Sequence, residues 1–592
     1  MGNLMAAPAG RRTAVVRLVL LLVLATVLLP GTLPAAAGSS ASSQDAVVRV
    51  AAETTRIGGA DRYEVAVNVS RHRHADPSSA ETVYLARGDV FADALTAGTL
   101  EDGPVLLVRP GCRAVPQVVL DEIARVDPAA VVALGGEASV CGDQLTQAAG
   151  GRATDRLGGA DRFEAAASIA GRAFSDGAST VYLANGAITP DAVVGGALRD
   201  GPILLASWDG TTVPPATAAA VAMADPDRVV ALGGPVSVSD RALSAAAAGR
   251  PTERVGGADR YEVAVNVADR AYPRGTERVY VTRGDGANFA DAVAAGMLAD
   301  GPVLLTAGPC TAVRPSTAAE LGGRTPARVV ALGGPASLCD SLLAGASLAG
   351  RGPVDCATTP CVALTFDDGP SWPTPVLLDT AAAHRVPLTF FVVGQMVDAA
   401  PAHTRRAWVE GHGIGNHSWD HPQLDSLTLA QQRDQVVRTD AELREHGMPR
   451  TTLLRPPYGY LDENTRDLGL PLVLWDVNPR DWTGPSAEEI REHVVTRVRP
   501  GSIVLQHDVH INTVTAVDGI VTDLHAAGYT FVSVEEMVPG AEAGSLIYNR
   551  TNVKDPGTPA SVDETIVLDD GRVLGRVVDE AGVPGLAPAL EE

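Results

Sequence analysis

Residues 362–370 read V-A-L-T-F-D-D-G-P, an apolar strand that runs into two adjacent carboxylates, Asp367 and Asp368, and breaks at once at Gly-Pro. Alone, such a pair is a surface turn. Further along, G-H-G-I-G-N-H-S-W-D-H brings His417 and His421, four apart, a spacing that sets two imidazoles on one side of a helix or tight turn. Two imidazoles and one carboxylate are a sound donor set for Zn2+, with positions left for water and substrate. The paired aspartates then divide the work: one ligates the cation, and its differently aimed neighbour accepts a proton from water. Three more segments follow in order. R-P-P-Y-G (455–459) is a rigid turn headed by Arg455, W-D-V-N-P-R-D-W (475–482) ends in Asp481 and Trp482, and I-V-L-Q-H-D (503–508) is a short strand reaching His507. The H-x-x-x-H spacing alone is common by chance; the ordered set is specific.

The elements that position these groups are strands at 362–366, 389–394 and 503–506, alternating with longer segments. Together the motifs resemble the polysaccharide deacetylase family, the NodB-homology esterases of carbohydrate esterase family 4, over about 356–535. The resemblance implies a distorted (β/α) barrel with its functional residues at the C-terminal strand ends, in keeping with strands that terminate in Asp367 and His507. It implies Asp367 as general base, steadied by Arg455, whose guanidinium keeps the carboxylate ionised. It makes Asp368, His417 and His421 the ligands of a divalent cation, Zn2+ first, with Co2+ or another divalent ion as alternatives. The backbone N–H of Tyr458 would help hold the tetrahedral oxyanion, and His507, charged and oriented by Asp481, would protonate the leaving amine. Trp482 and Leu505 would wall a small pocket for the acetyl methyl. Asn478 stands where the family often has Asp, and Gln506 precedes the acid histidine where apolar or small residues are common. His412 and Trp419 read as packing groups, and Asp508 is open between a structural and a functional role.

The first half is built on a repeat. R-I-G-G-A-D-R-Y at Arg56 returns as R-L-G-G-A-D-R-F at Arg156 and R-V-G-G-A-D-R-Y at Arg254. Each copy continues through a V-Y-L-A or V-Y-V-T strand, an Ala-rich segment with an inward Asp (Asp93, Asp191, Asp291), D-G-P-V/I-L-L and V-V-A-L-G-G. Short apolar strands alternating with helices predict α/β units with parallel sheets. The repeated Gly-Gly matches neither phosphate-loop pattern and reads as tight-turn geometry. The recurring Arg and Asp serve either as structural links at the strand-to-helix turns or as weak ligand contacts that add over three sites. The units resemble cell wall binding repeat 2, which implies attachment to an anionic wall polymer. The expected order is 1–37 signal peptide, 38–53 linker, repeats at 54–151, 152–249 and 250–350, deacetylase domain at 351–538 and an extension at 539–592 with a hairpin around D-D-G.

Cys112 and Cys141 lie 29 apart in the first repeat, as do Cys310 and Cys339 in the third, while the second has Gly210 and Ser239 at the matching places. Presence or absence of both members together predicts two disulfides, and Cys356–Cys361 is left as a local third. Export fits the N-terminus: arginines, an apolar run at 18–29 and an A-x-A site ending at Ala37 make a secretory signal peptide, with a retained anchor as the alternative. The mature chain would then carry no transmembrane anchor. A formal charge of −23 without a basic patch excludes nucleic acid as a partner. The single lysine, Lys554, among 47 basic residues indicates GC-rich coding of the actinobacterial, Gram-positive kind. The reading is a secreted, wall-held, metal-dependent N-deacetylase, with peptidoglycan as its substrate. An O-acetyl xylan esterase, a chitin deacetylase and a non-catalytic surface adhesion protein are the alternatives.

Overall fold

A computed structural model describes residues 50–89, 96–187, 190–273, 275–285 and 290–556, with short strands at Ile566–Val567 and Val573–Leu574. The expected signal peptide and Asp93 lie outside the described residues. Among the described residues, no helix is long and apolar enough to cross a membrane.

The repeats supply twelve strands: β1 (Glu53–Ile57), β2 (Thr82–Arg87), β3 (Val105–Val108), β4 (Ala130–Leu134), β5 (Ala153–Leu157), β6 (Thr180–Ala184), β7 (Ile203–Leu205), β8 (Arg228–Leu232), β9 (Thr252–Val255), β10 (Arg278–Arg283), β11 (Val303–Thr306) and β12 (Arg328–Leu332). They form three parallel four-stranded sheets, ordered β3-β2-β4-β5, β7-β6-β8-β9 and β11-β10-β12-β1. Each sheet therefore borrows its edge strand from the next repeat, and β1 closes the circle on β12 with Thr54 opposite Val329. The arginine of each opening motif fixes this exchange. Arg56, Arg156 and Arg254 donate to the carbonyls of Gly333, Gly135 and Gly233, the Gly-Gly turns of the neighbouring unit. The motif aspartates have a local task. Asp61, Asp161 and Asp259 cap the helices Arg62–Arg73, Arg162–Ala173 and Arg260–Ala271, while Glu64, Glu164 and Glu262 accept from the backbone N–H groups of Ala60, Ala160 and Ala258. At these positions the charges are structural.

One apolar core runs through all three repeats. Tyr84, Tyr182 and Tyr280 are fully buried in it, and each hydroxyl donates at 2.7 Å to an aspartate, Asp102, Asp200 or Asp300. Gly98, Gly196 and Gly296 meet as bare backbone. A Cβ on Gly196 would lie 2.8 Å from the Gly296 Cα, and one on Gly98 would lie 3.0 Å from the Gly196 Cα. Only glycine permits that approach.

The second half is a ring of parallel segments: β13 (Cys361–Asp367), β14 (Thr389–Val392), β15 (Gly413–Asn416), β16 (Leu472–Val473) and β17 (Ser502–His507). Ladders join β15-β14-β13-β17, and single bridges at Asn416–Leu454, Leu454–Leu472 and Val477–Val504 close the circle. This is the distorted (β/α) barrel that the sequence leads one to expect. β18 (Thr530–Phe531) adds to the start of β13. β19 (Leu546–Ile547) pairs in parallel with β16, and β20 (Val553–Lys554) turns back on it, so the sheet takes in residues that the sequence reading placed in a separate extension. The strands at 566–567 and 573–574 pair antiparallel, as a hairpin around D-D-G requires.

Alternation along β13 and β17 sorts their side chains. Val362, Leu364, Phe366 and Val504 pack with the surrounding helices, whereas Ala363, Ile503 and Leu505 pack with Phe391, Val473 and Trp475. Asp367 and His507 continue the second set and so arrive together at the C-terminal rim. The third repeat is packed against the barrel: Trp408 and Val409 enter its apolar cluster, and Gly345 approaches the Val409 carbonyl so closely that a Cβ would clash. Arg405 donates to the Cys310 carbonyl at 2.7 Å and Ser341 to Glu410 at 2.9 Å across the same seam. His412 belongs to this seam and accepts from the Leu388 N–H, which makes it a packing group. The cysteines pair as Cys112–Cys141, Cys310–Cys339 and Cys356–Cys361.

Candidate active site

The C-terminal ends of β13 and β17, the loop leaving β15 and the segments carrying Arg455 and Asp481 bring the polar residues of the site together. Asp367 is buried, and its Oδ1 accepts from Arg455 Nη1 at 2.7 Å. Arg455 is wholly buried, and its other donors reach the Val473 and Leu474 carbonyls and Thr365 Oγ1. Its guanidinium lies 4.1 Å from the Phe391 ring centroid. Burial pushes the Arg455 pKa down and the Asp367 carboxylate pulls it back. One carboxylate oxygen is thereby committed. The other, Oδ2, faces His417 Nε2 at 3.7 Å.

Asp368 Oδ1 lies 3.4 Å from His417 Nε2 and 3.2 Å from His421 Nε2, and the three ligand atoms sit within 4.8 Å of one another. The His417 Nδ1–H donates to the Arg455 carbonyl at 2.7 Å, which leaves Nε2 with its lone pair toward Asp368. Asp368 Oδ1 is buried, yet neither imidazole meets it with hydrogen-bond geometry. A carboxylate and two imidazole nitrogens that converge without bonding one another fit a divalent cation.

His507 stands at the end of β17. Its Nδ1 is 2.8 Å from Asp481 Oδ1, while Asp481 Oδ2 accepts from the His507 N–H and from Thr513 Oγ1, both at 2.7 Å. Burial lowers the imidazole pKa, but the Asp481 contact and the charges of Asp367 and Asp368 overcome this and raise it to about 9. Trp482 meets His507 edge-on at 5.5 Å and is half exposed, and Leu505 is buried one pleat below on the same strand. Tyr458 stacks edge-on against His421 at 4.6 Å. Its φ is 61°, and Asp368, Ser418, His421 and Arg480 also have left-handed backbones, so the motif loops concentrate strained residues around the site.

Asp367, Asp368, His417, His421, Arg455, Tyr458, Asp481, Trp482 and His507 thus stand together at one end of the barrel. Four supporting residues were not assigned a role by sequence. Thr365 bonds Arg455 two residues before Asp367 on the same strand face. Trp475, buried, lies 5.7 Å from the Arg455 guanidinium and beneath Gly459. Thr513 supports Asp481. Asp508 is wholly buried under Gly369, accepts from Thr374 Oγ1, and has its other oxygen unpaired; burial raises it to about 7. The strand alternation would have found Thr365; Asp508 and Trp475 lie in the quoted motifs without a sign of their partners, and nothing in the sequence marks Thr513. Trp419 packs on Gly394 and under Arg438, a packing role. Asn478 Oδ1 accepts from the Arg480 N–H, and the buried Gln506 amide has no protein partner.

A family model for polysaccharide deacetylase matches residues 355–472, and one for cell wall binding domain 2 matches residues 56–144, 156–243 and 254–350. The peptidoglycan-N-acetylglucosamine deacetylase PgdA of Listeria monocytogenes is 39% identical over 178 residues, covering 30% of this chain and 38% of the relative. The chain thus spans well under half the length of that relative. The peptidoglycan-N-acetylglucosamine deacetylase of Bacillus cereus is 37% identical over 185 residues, covering 30% of this chain and 67% of the relative. A solved structure described as T48 deacetylase with substrate is 43% identical, with a TM-score of 0.30, and covers 31% of this chain and 92% of that one. The chain belongs to the polysaccharide deacetylase family and carries three cell wall binding domain 2 repeats ahead of the family domain.

Proposed function

We propose that this protein is a secreted, metal-dependent N-deacetylase that removes acetyl groups from N-acetylated sugars of peptidoglycan, with the three repeats holding the barrel against the wall. The observation that carries the reading is the convergence of Asp367, Asp368, His417 and His421 on one side of the barrel mouth with a His507–Asp481 pair at the end of the adjacent strand. Asp368, His417 and His421 would hold the cation, with Zn2+ favoured by two nitrogens and one oxygen. When bound, the cation supplies Lewis acidity to the acetamide carbonyl and acidifies water.

The protein's own residues do the rest. Asp367, pinned through Oδ1 by Arg455, offers Oδ2 to take the proton of the attacking water. The backbone N–H of Tyr458 would steady the oxyanion. His507 enters the reaction protonated, because Asp481 holds Nδ1–H and the surrounding carboxylates favour the cation; Nε2 then delivers a proton to the departing amine. Trp482 and Leu505 would enclose the acetyl methyl and leave no room for larger acyl groups. The names of the relatives, which specify peptidoglycan N-acetylglucosamine deacetylation, support the choice of substrate. The test is acetate release from N-acetylglucosamine oligomers and purified wall, before and after chelation and after Zn2+ is restored. Release that chelation abolishes and Zn2+ returns is expected. Release that survives chelation contradicts the reading.

A further inference from the structure

The His507 ring has two ring neighbours, Trp482 edge-on at 5.5 Å and His510 edge-on at 6.1 Å. His510 has no part in the chemistry set out above, and its backbone is held in place. Its N–H donates to the His507 carbonyl at 3.3 Å, closing a turn just beyond the C-terminal end of β17, where the site lies. The same residue is the N-cap of the helix Ile511–Ala526. Asn512 Nδ2 donates to the Pro485 carbonyl at 2.9 Å, which ties this helix start to the segment that carries Trp482.

Histidine is a poor choice for that cap. Its side chain accepts no hydrogen bond from the first turn, whereas Thr428 and Ser486 accept from the N–H groups of Gln431 and Glu489 at the starts of Leu429–Glu445 and Ala487–Arg497. The His510 ring is half-buried, and among the described residues neither of its nitrogens has a protein hydrogen-bond partner. The fold thus forgoes a cap and keeps an unbonded imidazole against the ring of its proton donor, a local loss that nothing inside the fold offsets.

We propose that His510 is a substrate-binding residue that hydrogen-bonds the reacting sugar at the free hydroxyl next to its acetamide. The inference rests on the deacetylase reading for the identity of the sugar. The contact follows from connectivity. His507 Nε2 must come within about 3 Å of the acetamide nitrogen to protonate it. Of the two ring carbons that flank the one bearing this nitrogen, one carries the glycosidic link and the other, C3, a hydroxyl. A hydroxyl both donates and accepts, so it suits either tautomer of a neutral imidazole. N-acetylglucosamine keeps that hydroxyl, whereas N-acetylmuramic acid carries a bulkier lactyl ether there, so the contact favours the glucosamine units of a wall strand.

The test is calorimetric binding of the N-acetylglucosamine tetramer and its 3-deoxy counterpart to the full chain with Zn2+ supplied, carrying Asp367→Asn so that no turnover intervenes. Adding His510→Ser should weaken tetramer binding about three- to tenfold, the range for one uncharged hydrogen bond. The Tm should rise, because Ser caps the helix. The 3-deoxy tetramer should bind with and without His510→Ser within about twofold, and His510→Gln, which keeps a donor and an acceptor, should recover part of the loss. Tetramer affinity within about twofold of the parent after His510→Ser would overturn the contact. So would an equal loss for the two tetramers, or a parent that binds neither. A chain that shows the expected differences but releases no acetate without Asp367→Asn keeps the contact and removes the deacetylase reading.

Discussion

Replacing Asp481 by Asn tests the acid half of the mechanism through its pH dependence. Asp481 holds His507 Nδ1 at 2.8 Å, and the imidazole pKa stands at about 9 against an ordinary 6.5. The sign follows from the direction. A raised histidine pKa keeps the proton on through neutral pH and loses it as pH climbs through about 9. Without the carboxylate, the imidazole loses the contact that most raises it, and burial then opposes only the charges of Asp367 and Asp368, so its pKa moves down toward the ordinary 6.5. The difference of about 2.5 units is worth about 3.4 kcal/mol. A complete return would drop the protonated fraction at pH 8 from about 0.9 to about 0.03, so acetate release should fall by up to about thirtyfold. At pH 5.5 both proteins carry mostly protonated His507, and their rates should lie within about twofold on this account. Asn has one acceptor oxygen where Asp481 has two, so either the Oδ1 contact to His507 Nδ1 or the Oδ2 bond from the His507 N–H is forfeited, a folding loss of about 1 kcal/mol that the pH 5.5 rate normalises. The assay is initial acetate release from N-acetylglucosamine oligomers between pH 5 and 10. An alkaline limb that stays in place in Asp481→Asn refutes His507 as the proton donor.

Three further outcomes are expected. His421→Ala should weaken Zn2+ binding by at least about 100-fold in a calorimetric titration, with the Tm of the metal-free protein little changed. Gly196→Val forces a side chain into the point where three backbones meet and should cost about 1–3 kcal/mol, read by chemical denaturation. Asp508→Ala takes the acceptor from Thr374 and the support from beneath Gly369. It should destabilise by about 1–3 kcal/mol, while Asp508→Asn, which keeps the shape and an acceptor, should be much milder.

The candidate site was legible because it is written in short motifs whose residue types have few other uses. Asp367, Asp368, His417, His421, Arg455 and His507 would carry the proposed chemistry, and strand alternation delivers Asp367 and His507 to the same rim. The disulfides were legible for a related reason, since cysteine pairs in two repeats and a matching double absence in the third leave little choice. Strand exchange was not. The segments at 53–57, 153–157 and 252–255 have the same pattern whichever sheet they join, and only the arginine bonds to the neighbouring Gly-Gly turns decide it. Barrel closure was hidden because it runs through isolated bridges at Leu454 and Val477, too short to leave a periodic pattern. The strand at Leu546–Ile547 is only two residues long and was unreadable for the same reason. Asp508 and Thr513 act through long-range contacts to Thr374 and Asp481, which no local spacing encodes.

The central claim is that Asp367 activates water beside a cation held by Asp368, His417 and His421. The most direct measurement compares the parent protein with Asp367→Asn on purified wall, scoring acetate and newly freed glucosamine and muramic acid amines, with Zn2+ content determined on the same samples. The account predicts that Asp367→Asn keeps its Zn2+ and its attachment to the wall while release of acetate and exposure of amines cease. Undiminished release by Asp367→Asn, or a parent protein that holds Zn2+ and frees no amine from wall, would contradict it.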